Sequence, residues 1–372
     1  MYRLMDDIVF VTADSVRYDY IDTMEFLSSF DVLKGVTAAH YTRPSLASIQ
    51  ASSLSSVLTG RVERPTLAET LSKAGYTCLG LSPNPNTDGE FGFDAGFDRY
   101  DSFLETGNRG SSLRQYLARF DLLRRIYYKF YPPQAKSEDR PSDREVVEQA
   151  IEWFNDAEPP RFLWIHLMET HRPYGAGEEA VSKELDQKAF FKPDKLTAAE
   201  REEIEGKYRD SLRRADENVE HLLSEVDSDP ALVFTADHGE GFNDDGYYFH
   251  QPQLRRVDDC LLDVPVVFDG IDVDEGPLSL LDLAPTIAAS ADAPVPDRWL
   301  GNNLLETTTD SAVTVAPWHE QATVAWQDFE NKLISRDADV TFEGGSRSTD
   351  ATDEQEVPED LKEQMRDLGY VK

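Results

Sequence analysis

The stretch Phe234-Thr235-Ala236-Asp237-His238-Gly239-Glu240 carries more chemistry than any other in the chain. An apolar strand, beginning at Ala231, runs into a carboxylate, an imidazole, a glycine and a second carboxylate. Asp and His delivered side by side at the end of a buried strand can hold a divalent cation. The strand fixes the backbone, and the glycine lets the chain turn away around the ion. Ile8-Val9-Phe10-Val11-Thr12-Ala13-Asp14-Ser15 ends in the same manner, in Asp14. Two strands far apart in sequence therefore each place an acid at the sheet edge where α/β folds bind ligands. The competing reading makes Asp14 and Asp237 ordinary N-caps of helices that follow the strands.

A third segment, Tyr41-Thr42-Arg43-Pro44-Ser45-Leu46-Ala47-Ser48, reads as the start of a helix. A helix N-terminus offers free N–H groups and a positive dipole end, which suit an anion under attack. A Thr42 hydroxyl bound to a cation can lose its proton near neutral pH and become a nucleophile. Otherwise Thr42 is a cap. The fourth segment, Phe162-Leu163-Trp164-Ile165-His166-Leu167-Met168-Glu169-Thr170-His171-Arg172-Pro173-Tyr174, is again an apolar run that ends in polar residues. His171 falls in the loop and is the functional candidate. His166 lies mid-strand among apolar residues, as a core histidine or a substrate contact. His250, in Tyr247-Tyr248-Phe249-His250-Gln251-Pro252, completes the set. With Asp244 or Asp245 it could form a weak second cation site.

These side chains need a scaffold, and the hydrophobic pattern supplies one. Strands are expected at 7–13, 32–39, 77–82, 161–168, 231–235 and 264–268. Helices are expected at 22–30, 44–57, 66–75, 111–131, 142–157, 197–226 (one helix or two) and 280–289. Residues 83–110 and 175–195 read as loops that set specificity. Strands alternating with helices predict an α/β fold, a mostly parallel, doubly wound sheet flanked by helices. After about residue 296 the pattern changes to four short strands, at 312–315, 322–326, 332–335 and 340–342. A polar stretch at 344–356 and a terminal helix at 358–368 follow. The expected organisation is a catalytic α/β domain at 1–295 and a small antiparallel β subdomain with a terminal helix at 296–372.

Composition narrows the partners. The 372 residues carry 71 acidic against 37 basic side chains, a net charge of −34. The excess is spread along the chain. Such a surface repels itself at low salt and is relieved by molar salt, which points to a protein from a salt-accumulating cell. Duplex nucleic acid is a poor partner for it. Cys78 and Cys260 lie in apolar contexts and read as free thiols. No signal peptide or membrane-spanning run is evident, so a soluble cytoplasmic protein is expected. Residues 114–131 run against the acidic background. They are basic and aromatic, and suit either a helix packed on the domain or a contact with a membrane surface.

Taken in order, "VFVTADSVR", "YTRPSLAS", "FLWIHLMETHRPY", "LVFTADHGEGF", "VPVVF" and "SLLDLAPTIAA" resemble the sulfatase family of the alkaline phosphatase superfamily. The resemblance covers nearly the whole chain. It implies that Asp14, Asp237 and His238 are metal ligands, and that Thr42 is a nucleophile that also touches the metal. It implies that His171 contacts the transferred group or protonates the leaving group, with His250 near the substrate's charged oxygens. It makes the substrate an anionic sulfate or phosphate ester. Departures from the family pattern shape the chemistry. Sulfatases carry Cys or Ser at the nucleophile position, oxidised to formylglycine; Thr42 cannot give that aldehyde, so no formylglycine is expected. The motif's Arg is Leu46, and Arg43 is the candidate to supply its charge. The second acid after the first metal Asp is Ser15. Where calcium sulfatases carry Asn, this chain has His238, which favours Mn or Zn over Ca or Mg. One divalent cation is expected. Related threonine enzymes are phosphodiesterases and phosphoglycerol or phosphoethanolamine transferases. The alternatives are a degenerate binding protein without catalysis and a two-metal phosphomutase of the same superfamily.

Overall fold

The computed structural model describes residues 7–103, 141–175, 180–337 and 339–344. The expected helices at 111–131 and 358–368, and nearly all of the polar stretch at 344–356, lie outside the described residues. Strands β1 (Asp7–Ala13), β2 (Val32–Val36), β3 (Thr77–Leu81), β4 (Arg99–Asp101), β5 (Arg161–Leu167), β6 (Ala231–Ala236), β7 (Asp263–Asp269) and β8 (Leu278–Ser279) form one sheet. Their order is β4-β3-β5-β1-β6-β7-β2-β8. The pairings from β4 through β6 are parallel. Only β7 pairs antiparallel with both of its neighbours. β1, β5 and β6 are buried along their whole lengths, as apolar strands covered on both faces must be.

Two groups of helices cover the sheet. One contains α1 (Thr42–Ala51), α2 (Leu54–Thr59) and α3 (Leu67–Lys73), with α8 (Leu283–Ser290) packed against α1 and α3. The other pairs α4 (Asp143–Asp156) with α6 (Ala198–Glu225), one continuous helix with a capping box at Thr197. α5 (Lys183–Phe191) precedes α6, and the short α7 (Asp259–Leu262) leads into β7. Strands β9 (Ala312–Trp318), β10 (Gln321–Gln327), β11 (Asn331–Arg336) and β12 (Asp339–Gly344) form a separate antiparallel meander. It is tied to the large sheet where the Val315 N–H meets the Ala38 carbonyl at 2.9 Å and the Thr314 hydroxyl meets the Thr37 carbonyl at 2.6 Å.

Several expected elements differ. Residues 22–30 form two short 3₁₀ turns, Tyr18–Thr23 and Leu27–Ser29, rather than one helix. The helix expected at 44–57 starts at Thr42 and breaks at Ser52, which takes a left-handed φ of 44°. There the Ser52 side chain bonds the Leu281 carbonyl at 2.8 Å, so a tertiary contact ends the helix. The loop expected at 175–195 contains α5, capped by Ser182. β4 and β8 are too short to leave a periodic signal.

Candidate active site

The site lies at the C-terminal ends of the three central strands. Thr12 of β1 pairs with His166 of β5 and with Thr235 of β6, and hydrogen bonds continue past the strand ends. The Asp14 N–H reaches the Leu167 carbonyl at 2.9 Å, and the Asp237 N–H reaches the Ala13 carbonyl at 3.1 Å. Both aspartates are thus held side by side by the sheet itself. Neither is a helix cap, because Ser15 follows Asp14 with a φ of 58° and loop follows Asp237. The turn at Ser15 lets its N–H donate to Asp237 Oδ1 at 2.9 Å and its hydroxyl to Asp14 Oδ1 at 2.5 Å. Gly239 is needed for packing: a Cβ there would lie 2.0 Å from the Cys260 carbonyl oxygen. The Asp237 carbonyl is gripped by the hydroxyls of Thr37 (2.7 Å) and Ser45 (2.5 Å), which bind the start of α1 to the end of β6.

Thr42 is the first residue of α1 and is buried. The preceding Tyr41 is extended and makes no side-chain cap, and Pro44 sits in the first turn, where its missing N–H costs nothing. The Thr42 hydroxyl is therefore not a cap. It lies 3.3 Å from both Asp14 Oδ2 and His238 Nε2.

Hydrogen bonds fix which ring nitrogen each histidine presents. His238 Nδ1 faces the Gly239 carbonyl at 2.7 Å and must carry the proton there, leaving the Nε2 lone pair for Thr42 and a cation. His166 Nδ1 lies 3.0 Å from Thr12 Oγ1, whose own hydroxyl hydrogen points to the Ile165 carbonyl. The same Thr12 oxygen accepts from Trp164 Nε1 at 3.1 Å. Its lone pairs are then filled by two N–H donors, and His166 Nε2 is left with a free lone pair. That nitrogen has no hydrogen-bond partner and lies 3.8 Å from Asp14 Oδ2.

Asp14, His166 and Asp237 each offer a ligand atom within 4.8 Å of the others, and all three are fully buried. Asp237 Oδ2 also has no partner. Two buried carboxylates facing one another are costly without a cation. Burial and the Asp14 charge push Asp237 up to about 7. Burial also pushes Asp14 up, but His171, His166 and His238 more than offset it and hold it well below the usual carboxylate range. Burial and the neighbouring His250 hold His238 down at about 4, neutral and able to ligate. Orphaned donor atoms on a carboxylate and an imidazole fit a divalent metal. Sequence reasoning gave His166 to the core or to the substrate. The available signal was that Thr12 and His166 interrupt their apolar strands at paired positions.

His171 is half-buried in the loop after β5, with its ring centroid 5.9 Å from that of His250. The Thr170 hydroxyl donates to the Asp14 carbonyl and ties this loop to the end of β1. His250 stands 4.3 Å, centroid to centroid, from His238. Burial lowers its pKa, but the Glu240, Asp14 and Asp237 carboxylates outweigh burial and raise it above the ordinary value. Two other candidate groups have partners of their own. Arg43 lays its guanidinium on the Phe91 ring, 4.4 Å from the centroid, and makes no hydrogen bond to Asp14, Asp237 or His238. Asp244 and Asp245 pair with Arg17 (3.0 Å) and Arg256 (3.3 Å), so neither joins His250 in a second cation set. Leu46, where the motif would carry Arg, is fully buried in the core.

A buried hydroxyl at a helix N-terminus, set against two carboxylates and two imidazoles at a parallel sheet edge, is an arrangement that fits metal-assisted ester chemistry. The Sulfatase family model matches residues 6–293, and the chain belongs to that family. Its members are enzymes acting on sulfate and phosphate esters. Among solved structures the fold is similar to the 2-O GAG sulfatase BT1596, at a TM-score of 0.63 and 13% identity, over 91% of this chain and 85% of that one. It is similar to the phosphonate monoester hydrolase of Silicibacter pomeroyi, at 0.64 and 15%, over 90% and 88%. A third likeness is to the C-terminal periplasmic domain of EcEptC from Escherichia coli in complex with Zn, at 0.60 and 16%, over 88% and 93%. No curated protein matches the sequence.

Proposed function

We propose that this enzyme cleaves or transfers phosphate esters or diesters, or sulfate esters, with Thr42 as the nucleophile. One observation carries the reading: the Thr42 hydroxyl sits 3.3 Å from a ligand atom of both Asp14 and His238. Asp14, His166, Asp237 and His238 would hold one divalent cation, with Thr42 beside it. That ion, when bound, supplies charge neutralisation and lowers the pKa of the hydroxyl. Two imidazoles among the donors favour Mn or Zn over Ca or Mg. The Zn complex of the EcEptC domain is consistent with that choice.

Threonine cannot be oxidised to an aldehyde, so its own oxygen attacks. The Thr42 hydroxyl gives up its proton to solvent, and its oxygen bonds to phosphorus (or sulfur) while the ester bond to the leaving oxygen breaks. His171 gives the leaving oxygen its proton. His250 Nε2 and the N–H groups that open α1 face the remaining oxygens, in place of the motif's missing arginine. Water or an acceptor alcohol then attacks the Thr42 ester and restores the hydroxyl. A single cation, as opposed to the two of a phosphomutase, is supported by the engagement of Asp244 and Asp245 with arginines.

The test is turnover of chromogenic sulfate, phosphate monoester, diester and phosphonate substrates in molar KCl with Mn²⁺ or Zn²⁺. Diester or phosphonate turnover that disappears in Thr42→Ala is expected. Turnover that survives the substitution overturns the nucleophile. Failure on every substrate, with the cation bound, favours the binding-only alternative. A membrane-surface contact by residues 114–131 is supported by their basic, aromatic composition alone. Liposome pelleting of the wild type that is lost in Arg124→Glu/Arg125→Glu would support it, and equal pelleting would exclude it.

A further inference from the structure

We propose that Glu240 is a positioning residue that holds the His250 imidazole with its proton on Nδ1, so that Nε2 faces the reacting group. The inference rests on the role given to His250 above. Both neighbours of His250 Nδ1 are acceptors. Glu240 Oε1 lies 3.2 Å away. Ser15 Oγ lies 3.4 Å away, but its hydrogen is given to Asp14 Oδ1, so it turns only lone pairs toward the ring. A nitrogen between two acceptors carries the hydrogen. Nε2 is then the position that gains and gives up a proton, and it donates to a substrate oxygen when the ring is charged.

Glu240 is itself immobilised. It is fully buried, and its Oε2 accepts from the Tyr174 hydroxyl at 2.7 Å while Oε1 also accepts from the Gly241 N–H at 3.1 Å. Tyr174 packs against the rings of Tyr208 (5.1 Å), Phe242 (5.9 Å) and Phe249 (6.2 Å). Tyr208 comes from α6 and donates its hydroxyl hydrogen to the Ser15 carbonyl at 2.8 Å. Phe249 directly precedes His250. A continuous chain, Tyr174 to Glu240 to His250, thus runs from the helix layer to the site. A buried carboxylate that orients an imidazole in this way sets the tautomer for proton transfer.

The experiment is a long-range ¹H–¹⁵N correlation spectrum of full-length, Zn²⁺-loaded protein labelled at its 7 histidines. The His250 signals are assigned by their loss in His250→Asn. The wild type is expected to show hydrogen on Nδ1. Glu240→Ala should mix the tautomers and lower kcat by roughly 10- to 100-fold, with KM and Zn²⁺ content unchanged. Glu240→Gln, whose amide oxygen still accepts from Nδ1 while its N–H₂ bonds Tyr174, should restore the signature and most of kcat. If Glu240→Ala fails to fold, Tyr174→Phe takes its place and should give a partial version of its effect. A wild-type His250 without hydrogen on Nδ1, or an unchanged His250 signature in Glu240→Ala, overturns the proposal. The spectrum needs no turnover. The expected tautomer pattern in a protein inert toward every ester would therefore sink only the functional reading.

Discussion

Thr12 decides what His166 can do. A histidine buried on β5 could be a neutral core residue with either tautomer. With the Thr12 hydrogen directed to the Ile165 carbonyl, its oxygen accepts from Trp164 Nε1 and from His166 Nδ1, which frees Nε2 toward Asp14. Outer partners of this kind typically govern metal affinity by 10- to 100-fold. Thr12→Val keeps the shape and removes the acceptor. We expect Zn²⁺ or Mn²⁺ affinity to fall by roughly that factor in a metal titration. The orphaned Trp164 N–H should cost about 1–3 kcal/mol of stability. Unaltered affinity would mean that His166 does not ligate. Thr42, by contrast, is the proposed nucleophile, and Thr42→Ala should remove turnover while leaving the folded protein intact.

The elements are aligned at the opposite end of the same strands. Asp7 opens β1 and Arg161 opens β5, and the two are register partners. The Asp7 carboxylate accepts from the Arg161 N–H at 2.8 Å, from Nη2 at 2.8 Å and from the Ser228 hydroxyl at 2.7 Å. The pair is nearly inaccessible to water, with side-chain exposures of 6% for Arg161 and 3% for Asp7. A one-residue slip would move Asp14 off the site and turn His166 to the other face. Burial pushes the Asp7 carboxyl up, and the hydrogen bonds from Arg161 and Ser228 outweigh it, so it stays below the usual carboxylate range. A depressed carboxyl stabilises the fold above its unfolded pKa, and that contribution is lost as pH falls through the folded value. Asp7→Asn should lower stability at neutral pH, because it leaves the buried Arg161 charge without its partner. Its pH–stability curve should begin to approach that of the wild type as pH falls below about 4 and meet it only below the folded value. Parallel curves down to acid would show that the charge does not matter.

At the scale of the molecule, the net charge of −34 dominates behaviour in solution. Repulsion over this surface is screened over about 8 Å at physiological ionic strength and about 3 Å at 1 M salt. A protein of a high-salt cell interior should gain thermal stability with KCl. We expect the melting temperature to rise steadily from 0.1 M to 2 M KCl, and less steeply in a variant with surface Glu replaced by Gln. A melting temperature independent of KCl would remove the halophilic reading. Buried pairs such as Asp7–Arg161 are shielded from the solvent and should contribute little to that slope.

The apolar runs closed by Asp14 and Asp237, the polar cluster around Thr42 and the loop histidine His171 were legible in the sequence. Each is a local pattern, an apolar segment ending in a chemical group, and strands of a parallel sheet deliver such ends to one edge. The α/β class and the C-terminal meander were legible for the same reason, since periodicity is local. The role of His166 was not, because it depends on which strand β5 lies beside and on a threonine more than 150 residues away. The direction of Arg43, the commitment of Asp244 and Asp245 to arginines, and the grip of Glu240 on His250 were equally hidden. Each residue type permits several partners, and proximity across the sheet picks one. The break at Ser52 and the helix at 183–191 follow the same logic, in that contacts distant in sequence override weak local preference. Sequence determined which groups could do chemistry; the tertiary structure decided which atom of each group is free to do it.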